Sequence, residues 1–169
     1  MRYIGSSKVN PGAGATTPVT RYDDLIAFFG GAAGTIAGLR VGGSVLIGDI
    51  NTDMGLKPTG AKNMIVWLAG TQYSIGPLTV GASYMNVKSA GAVNAATGPP
   101  LASTRRESAI NVGGTYVIAP GLLGWLSATY GRRYQGGFNF STNATTGAAA
   151  LEANNVDFKA IALGGMVRW

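Results

Sequence analysis

The sequence contains no cysteine and no histidine. These absences exclude a disulfide scaffold, a zinc site built from the usual nitrogen and sulfur ligands, and an ordinary Ser-His-Asp triad. Charge is scarce as well. Only 12% of the 169 residues are charged, whereas a soluble domain carries about 25%. Long apolar runs are missing too. The greasiest segments, "MIVWLAG" and "GLLGWL", fall far short of the roughly 18 consecutive apolar residues of a spanning helix. The formal net charge is +6, but no dense basic run accompanies it, so nucleic acid is not an expected partner. The opening "MRYIGSSKVN" lacks the apolar centre of a signal peptide, so an exported protein with this sequence is expected to be a mature form or a piece.

Against these absences stand an apolar fraction of 46% and 27 glycines. There is no three-residue glycine period, which excludes collagen. A greasy chain without a greasy helix is what membrane β-strands produce, because each strand gives only alternate residues to lipid. The C-terminal run "VDFKAIALGGMVRW" shows the pattern. Ile161, Leu163, Gly165, Val167 and Trp169 form one row, and Ala162, Gly164, Met166 and Arg168 form the other.

Period-two patterning and turn residues predict eight strands, at residues 2–9, 21–29, 39–50, 63–75, 78–88, 105–118, 122–135 and 155–169. Turns at "GP" and "APG" alternate with long segments rich in Ala, Gly, Thr and Asn. "GGAAGTIAG" is read as the connection between the second and third strands. Tight turns at one end and extended loops at the other characterise outer-membrane barrels. The expected fold class is therefore all-β, an antiparallel transmembrane β-barrel formed by residues 1–169 as one domain or as half of a larger barrel.

The strand pattern assigns Arg40, Arg105, Glu107, Arg133 and Arg168 to the inward, water-facing rows, with Lys62 and Arg21 as further pore-lining candidates. Arginine at mid-depth in lipid costs about 2–4 kcal/mol, which favours a wet lumen for these side chains. A positive wall of this kind favours anions. Arg105 and Glu107 share a row and are expected to pair. Arg106 and Arg132 fall on outward rows near the loops, at the level of anionic headgroups. Tyr73, Tyr84, Tyr116, Tyr130, Tyr134 and Trp169 sit on outward rows near strand ends, where amphipathic rings form interfacial girdles.

Three further stretches resemble a known family. "NNVDFKAIALGGMVRW", "SAINVGGTYVIAPGL" and "YSIGPLTVGASYMN" look like the C-terminal half of Gram-negative trimeric porins, most like those of alphaproteobacteria. "RYDDLIAFFGGAAGTIAGLRVGGSV" is similar to the family's mid-barrel hairpin. The resemblance implies a 16-stranded barrel assembled as homotrimers in the bacterial outer membrane, through which small hydrophilic solutes diffuse. It also implies that the Trp169 strand carries the signal read by the outer-membrane barrel assembly machinery. Eight strands are half the family's number, so the chain is expected to be a C-terminal piece. The alternative is a small closed eight-stranded barrel with a structural, anchoring role and an interior filled by side chains.

Features that could carry a reaction are thin, and neither an enzyme nor a cofactor is expected. Asp23 and Asp24 are adjacent, so in a strand they would face opposite sides. "GGAAG" lacks the lysine and following helix of a phosphate loop. Asp49, Asn51 and Asp53 only loosely echo a calcium loop, whose remaining spacing is missing.

Overall fold

A computed structural model describes residues 23–51, 55–92, 104–141, 144–145 and 154–167. Arg21, Arg168, Trp169 and the strand expected at residues 2–9 lie outside them. Among the described residues there is no helix, and all regular structure is β. The described residues therefore include no helix long and apolar enough to cross a membrane, which says nothing of β-barrels, whose strands cross instead. Seven strands make one antiparallel sheet, paired in chain order: β1 (Ala27–Ile36), β2 (Leu39–Gly48), β3 (Met64–Ile75), β4 (Leu78–Ser89), β5 (Arg105–Ala119), β6 (Leu122–Tyr134) and β9 (Asn155–Val167). A two-residue pair, β7 (Phe138–Asn139) with β8 (Ala144–Thr145), sits in the loop before β9.

The three short reversals follow from their residues. Ala37 and Gly38 both have positive φ, 47° and 81°, as a type I′ hairpin requires. Gly76, with φ 55°, precedes Pro77, the order suited to type II′. Pro120 precedes Gly121, with φ 80°, the order suited to type II. The first reversal corrects the expected connection. "GGAAGTI" belongs to β1, which starts six residues later than the strand expected at 21–29. Its small residues face small residues, with Ala33 opposite Gly42 and Ala32 opposite Gly43. Backbone pairing holds this segment extended where its composition suggests a turn.

The register is staggered. Leu39, beside the first reversal, pairs with Tyr73, two residues short of the end of β3. Leu78, beside the second, pairs with Tyr116, three residues short of the end of β5, one of them taken up by a bulge at Ile118. That amounts to about one residue of rise per strand. With a rise of about 3.4 Å and a strand spacing of about 4.8 Å, levelling the reversals inclines the strands by about 35°. Strands in closed β-barrels tilt by about 35–45°.

The sheet is open, with β1 and β9 as its edges. Because seven strands alternate in direction, β1 and β9 run the same way. Joining them directly would make a parallel pair, whereas one more strand between them would keep the antiparallel ladder.

The small core lies at the long-loop end, on the face that carries Arg40. Ile50, Met64 and Val87 are buried there against Leu25, Ala27, Leu46, Val66 and Met85. Most of the large apolar side chains elsewhere in the sheet are exposed. Ile161 and Leu163 show 80% and 79% of their surface.

Candidate functional site: a concave polar wall with a loop cap

The cross-strand register fixes which side chains share a face. Ala33, Gly42, Gly70, Ser83, Asn111 and Thr129 form one continuous row across β1 to β6. All are small or polar, and Asn111 Nδ2 donates to Thr129 Oγ1 at 2.6 Å. The adjacent row holds Thr35, Arg40, Gln72, Gly81, Gly113 and Ser127. These rows floor an open concavity of about 1030 Å³ that runs from Phe29 and Gly31 on β1 to Trp125 and Ser127 on β6. Two large rings on this face lie over glycines in the next strand. Trp125 covers Gly164, and Phe158 covers Gly131, where any Cβ would collide with the ring. Each ring covers the backbone that a glycine leaves bare.

The opposite face is apolar. Phe28, Val41, Trp67, Val80, Val112, Leu126 and Leu163 are all exposed on it, and its charged side chains among the described residues, Lys88, Arg106, Arg132, Asp157 and Lys159, lie towards the long loops. Tyr73, Tyr84, Tyr116, Tyr130 and Tyr134 all belong to this face, each 38–51% exposed. Tyr73 and Tyr116 lie towards the short reversals. Tyr130 and Tyr134 lie towards the long loops. Tyr84 stands at mid-strand instead of near the expected strand end, opposite Ala69, with its ring 5.1 Å from that of Trp67.

The expected wall charges divide into distinct environments. Arg40 stands on the concave face between Thr35 and Gln72, with no ion-pair partner among the described residues. Glu107 forms its ion pair across the strands, with Arg133 Nε 2.8 Å from Glu107 Oε1. This corrects the expected Arg105–Glu107 pairing: register partners in neighbouring strands stand closer than residues two apart along one strand. Arg105 shares the concave row but is only 8% exposed. Its Nε donates to Gln135 Oε1 at 3.0 Å, and its guanidinium carbon lies 5.3 Å from the ring centres of both Phe138 and Phe140. Lys62 is exposed in the loop just before β3.

Sequence reasoning missed the polar ties that hold the long loops. Lys57 Nζ lies 2.7 Å from Asp49 Oδ1 and 3.1 Å from Asp23 Oδ2, and donates to Asn63 Oδ1 at 2.8 Å. Burial alone lowers the pKa of Lys57, but hydrogen bonds and charge attraction from Asp49 and Asp23 outweigh it, and the ammonium titrates above its usual range. Asn51 and Gly91 exchange two hydrogen bonds, 2.8 and 2.7 Å, tying the first long loop to the second. Gln135, fully buried, accepts from Ala92 N–H at 3.0 Å and donates to Ala90 O at 3.0 Å, tying the third to the second. The one available signal was the polarity of Lys57 and Gln135 beside Pro and Gly. Their partners are far away in sequence, so the pairings were not legible.

Asp49 is held by Lys57, Asp53 lies outside the described residues, and the described residues contain no cluster of three metal-ligating side chains. Asp23 and Asp24 precede β1 instead of lying in a strand, and Asp23 is bound to Lys57.

Comparison with known proteins yields no matching family model, no matching curated protein and no matching solved structure.

Proposed function

We propose that the chain forms part of the wall of an outer-membrane porin, through which small hydrophilic solutes and ions diffuse passively. The observation that carries this reading is the contrast between the two faces of one sheet. A concave face floored by Gly, Ser, Asn and Thr backs directly onto an exposed apolar face. A β-sheet separates water from hydrocarbon in this way, with every second side chain on each side. The resemblance to the C-terminal half of trimeric porins supports the same reading. So do the strand inclination of about 35° and the alternation of short reversals with long loops.

The mechanism needs no reaction. The wall offers hydrogen-bonding groups to hydrated solutes, and closure sets a size limit. Closure requires at least one strand beyond the seven described, and in the family it takes a barrel of sixteen and a homotrimer. Arg40 supplies an uncompensated positive charge on the wall, whereas Arg133 is neutralised by Glu107. The preference for anions is therefore mild and rests chiefly on Arg40.

The test is planar-bilayer conductance of the native protein, extracted from outer membranes. Stepwise channels that favour chloride over potassium are the expected result. A silent but inserted protein would instead indicate the small, filled, anchoring barrel.

A further inference from the structure

Among the described residues of the apolar outer face, charge appears only at the long-loop end. Lys88 on β4 and Arg106 on β5 are direct register partners and share that face. Both are exposed, and neither has an ion-pair partner among the described residues. Like charges directly opposite in a sheet repel and weaken the pairing. Arg132 and Lys159 lie on the next strands of the same face, with Asp157 bound to Arg132 at 2.7 Å. Four cations against one carboxylate give the patch a net charge of +3. Asn86, Ser108 and Tyr134 fill the positions between them and can donate hydrogen bonds.

The height of the patch is informative. Lys88 lies ten residues along β4 from Leu78, and Arg132 lies ten residues along β6 from Leu122. At about 3.4 Å per residue and an inclination of about 35°, both stand about 28 Å above the short reversals. The apolar band of a membrane barrel is about 25 Å tall. Tyr130, two residues before Arg132 on the same face of β6, lies just below the cations, as rings at a headgroup boundary do. Between the reversals and the patch, the outer face carries no charged residue among the described residues.

We propose that Lys88 and Arg106 clamp the phosphate of a lipid headgroup in the leaflet on the long-loop side. A phosphomonoester places two negative charges between the two cations and turns their mutual repulsion into shared attraction. Asn86, Ser108 and the Tyr134 hydroxyl surround it, and Arg132 and Lys159 extend the positive field to a second phosphate or a neighbouring lipid. This inference rests on the membrane-wall reading, because it needs the outer face to meet lipid.

Native mass spectrometry of the full chain in neutral detergent tests it, with dioleoyl phosphatidic acid, dioleoyl phosphatidylcholine and inorganic phosphate as probes. Wild type should retain phosphatidic acid in preference to phosphatidylcholine. The double variant Lys88→Gln/Arg106→Gln should lose at least about tenfold in affinity. Arg106→Glu should abolish retention while raising thermal stability, because it creates a cross-strand ion pair with Lys88; this separates a lost site from a lost fold. Equal retention of phosphatidylcholine, unchanged affinity in the double variant, or full displacement by millimolar inorganic phosphate each overturns the lipid site. Bilayer conductance separates this outcome from the porin reading. Phosphatidic acid lost in the variants of a protein that passes no current sinks the channel and leaves the clamp. Normal current with unchanged lipid retention sinks the clamp and leaves the channel.

Discussion

Glu107 on β5 and Arg133 on β6 stand directly opposite each other on the concave face, with Arg133 Nε 2.8 Å from Glu107 Oε1. Their side chains keep 20% and 38% of their surface exposed. A pair this wet contributes at most about 1 kcal/mol to stability. In the proposed pore its larger effect would be on the field: two charges that would act separately on a passing ion cancel within one short dipole. The placement of acids, as much as the number of arginines, sets the sign and strength of the wall potential.

Glu107→Gln should therefore strengthen anion preference by freeing Arg133, with little change in stability. Arg40→Glu should shift preference towards cations. Arg133→Glu should do so more strongly and also lower stability, because it sets two carboxylates opposite each other. Reversal potentials under a salt gradient report the first effect and thermal unfolding the second. Unchanged reversal potentials in all three variants would remove these side chains from the ion path.

Lys57→Met should loosen the first long loop. Lys57 engages Asp23, Asp49 and Asn63, which together use the three donors of its ammonium. Its loss takes the ammonium away from both carboxylates. Removing one partner of a fully buried pair costs about 3–5 kcal/mol, and the partial exposure of both acids, 29% and 26%, brings the expected cost to about 1–3 kcal/mol. The pH dependence follows from the raised pKa. The folded state holds the Lys57 proton more tightly than the unfolded state, so the stabilisation is fully present below the ordinary lysine pKa and is lost as pH rises through the folded value. Protection of the loop from proteolysis should persist through neutral pH and fall in strong alkali in wild type. It should be low at every pH in the variant.

Gln135→Leu should uncouple the third long loop from the second. The leucine leaves Ala92 N–H and Ala90 O without the partner that Gln135 supplies, and takes the acceptor from Arg105 Nε. Buried groups left without partners cost about 1–3 kcal/mol each. Amide exchange at Ala92 should accelerate markedly, while exchange in the middle of β5, at Asn111 and Gly113, should stay slow. Equal acceleration at both would mean that the loop ties and the sheet unfold together.

Much of the sheet was legible because period two is a local property. The alternation of Ile110, Val112 and Tyr116 with Glu107, Asn111 and Thr115 fixes both faces of β5 before any partner is known. The short reversals were legible at Gly76-Pro77 and Pro120-Gly121, where the residue types set φ. The first reversal was not. Gly30 to Gly34 have turn-like composition, and only pairing with residues 41–45 of β2 keeps them extended. The electrostatics of the candidate wall were the least legible part. Sequence placed Arg105, Glu107 and Arg133 on one face, but which cation meets the acid, and which is buried under Phe138 and Phe140, depends on register and on loop packing.

Ile161→Arg separates a membrane wall from a sheet that merely has a greasy surface. Ile161 is 80% exposed on the outer face of β9, opposite Ala128 of β6 and in the same row as Val112 and Val41. If water bathes this face, an arginine there is an ordinary surface substitution and changes stability by no more than about 0.5 kcal/mol. If lipid covers it at mid-depth, the same arginine costs about 2–4 kcal/mol. The ranges do not overlap, so one measurement decides. Folding free energies of wild type and variant, obtained by denaturant titration in phosphatidylcholine vesicles, should differ by at least about 2 kcal/mol. Ala162→Arg, next in sequence but on the concave face, should cost far less, because its side chain meets the wet side of the same strand. Equal, small costs at both positions would mean that no hydrocarbon covers the outer face, and the transport proposal would fall with it.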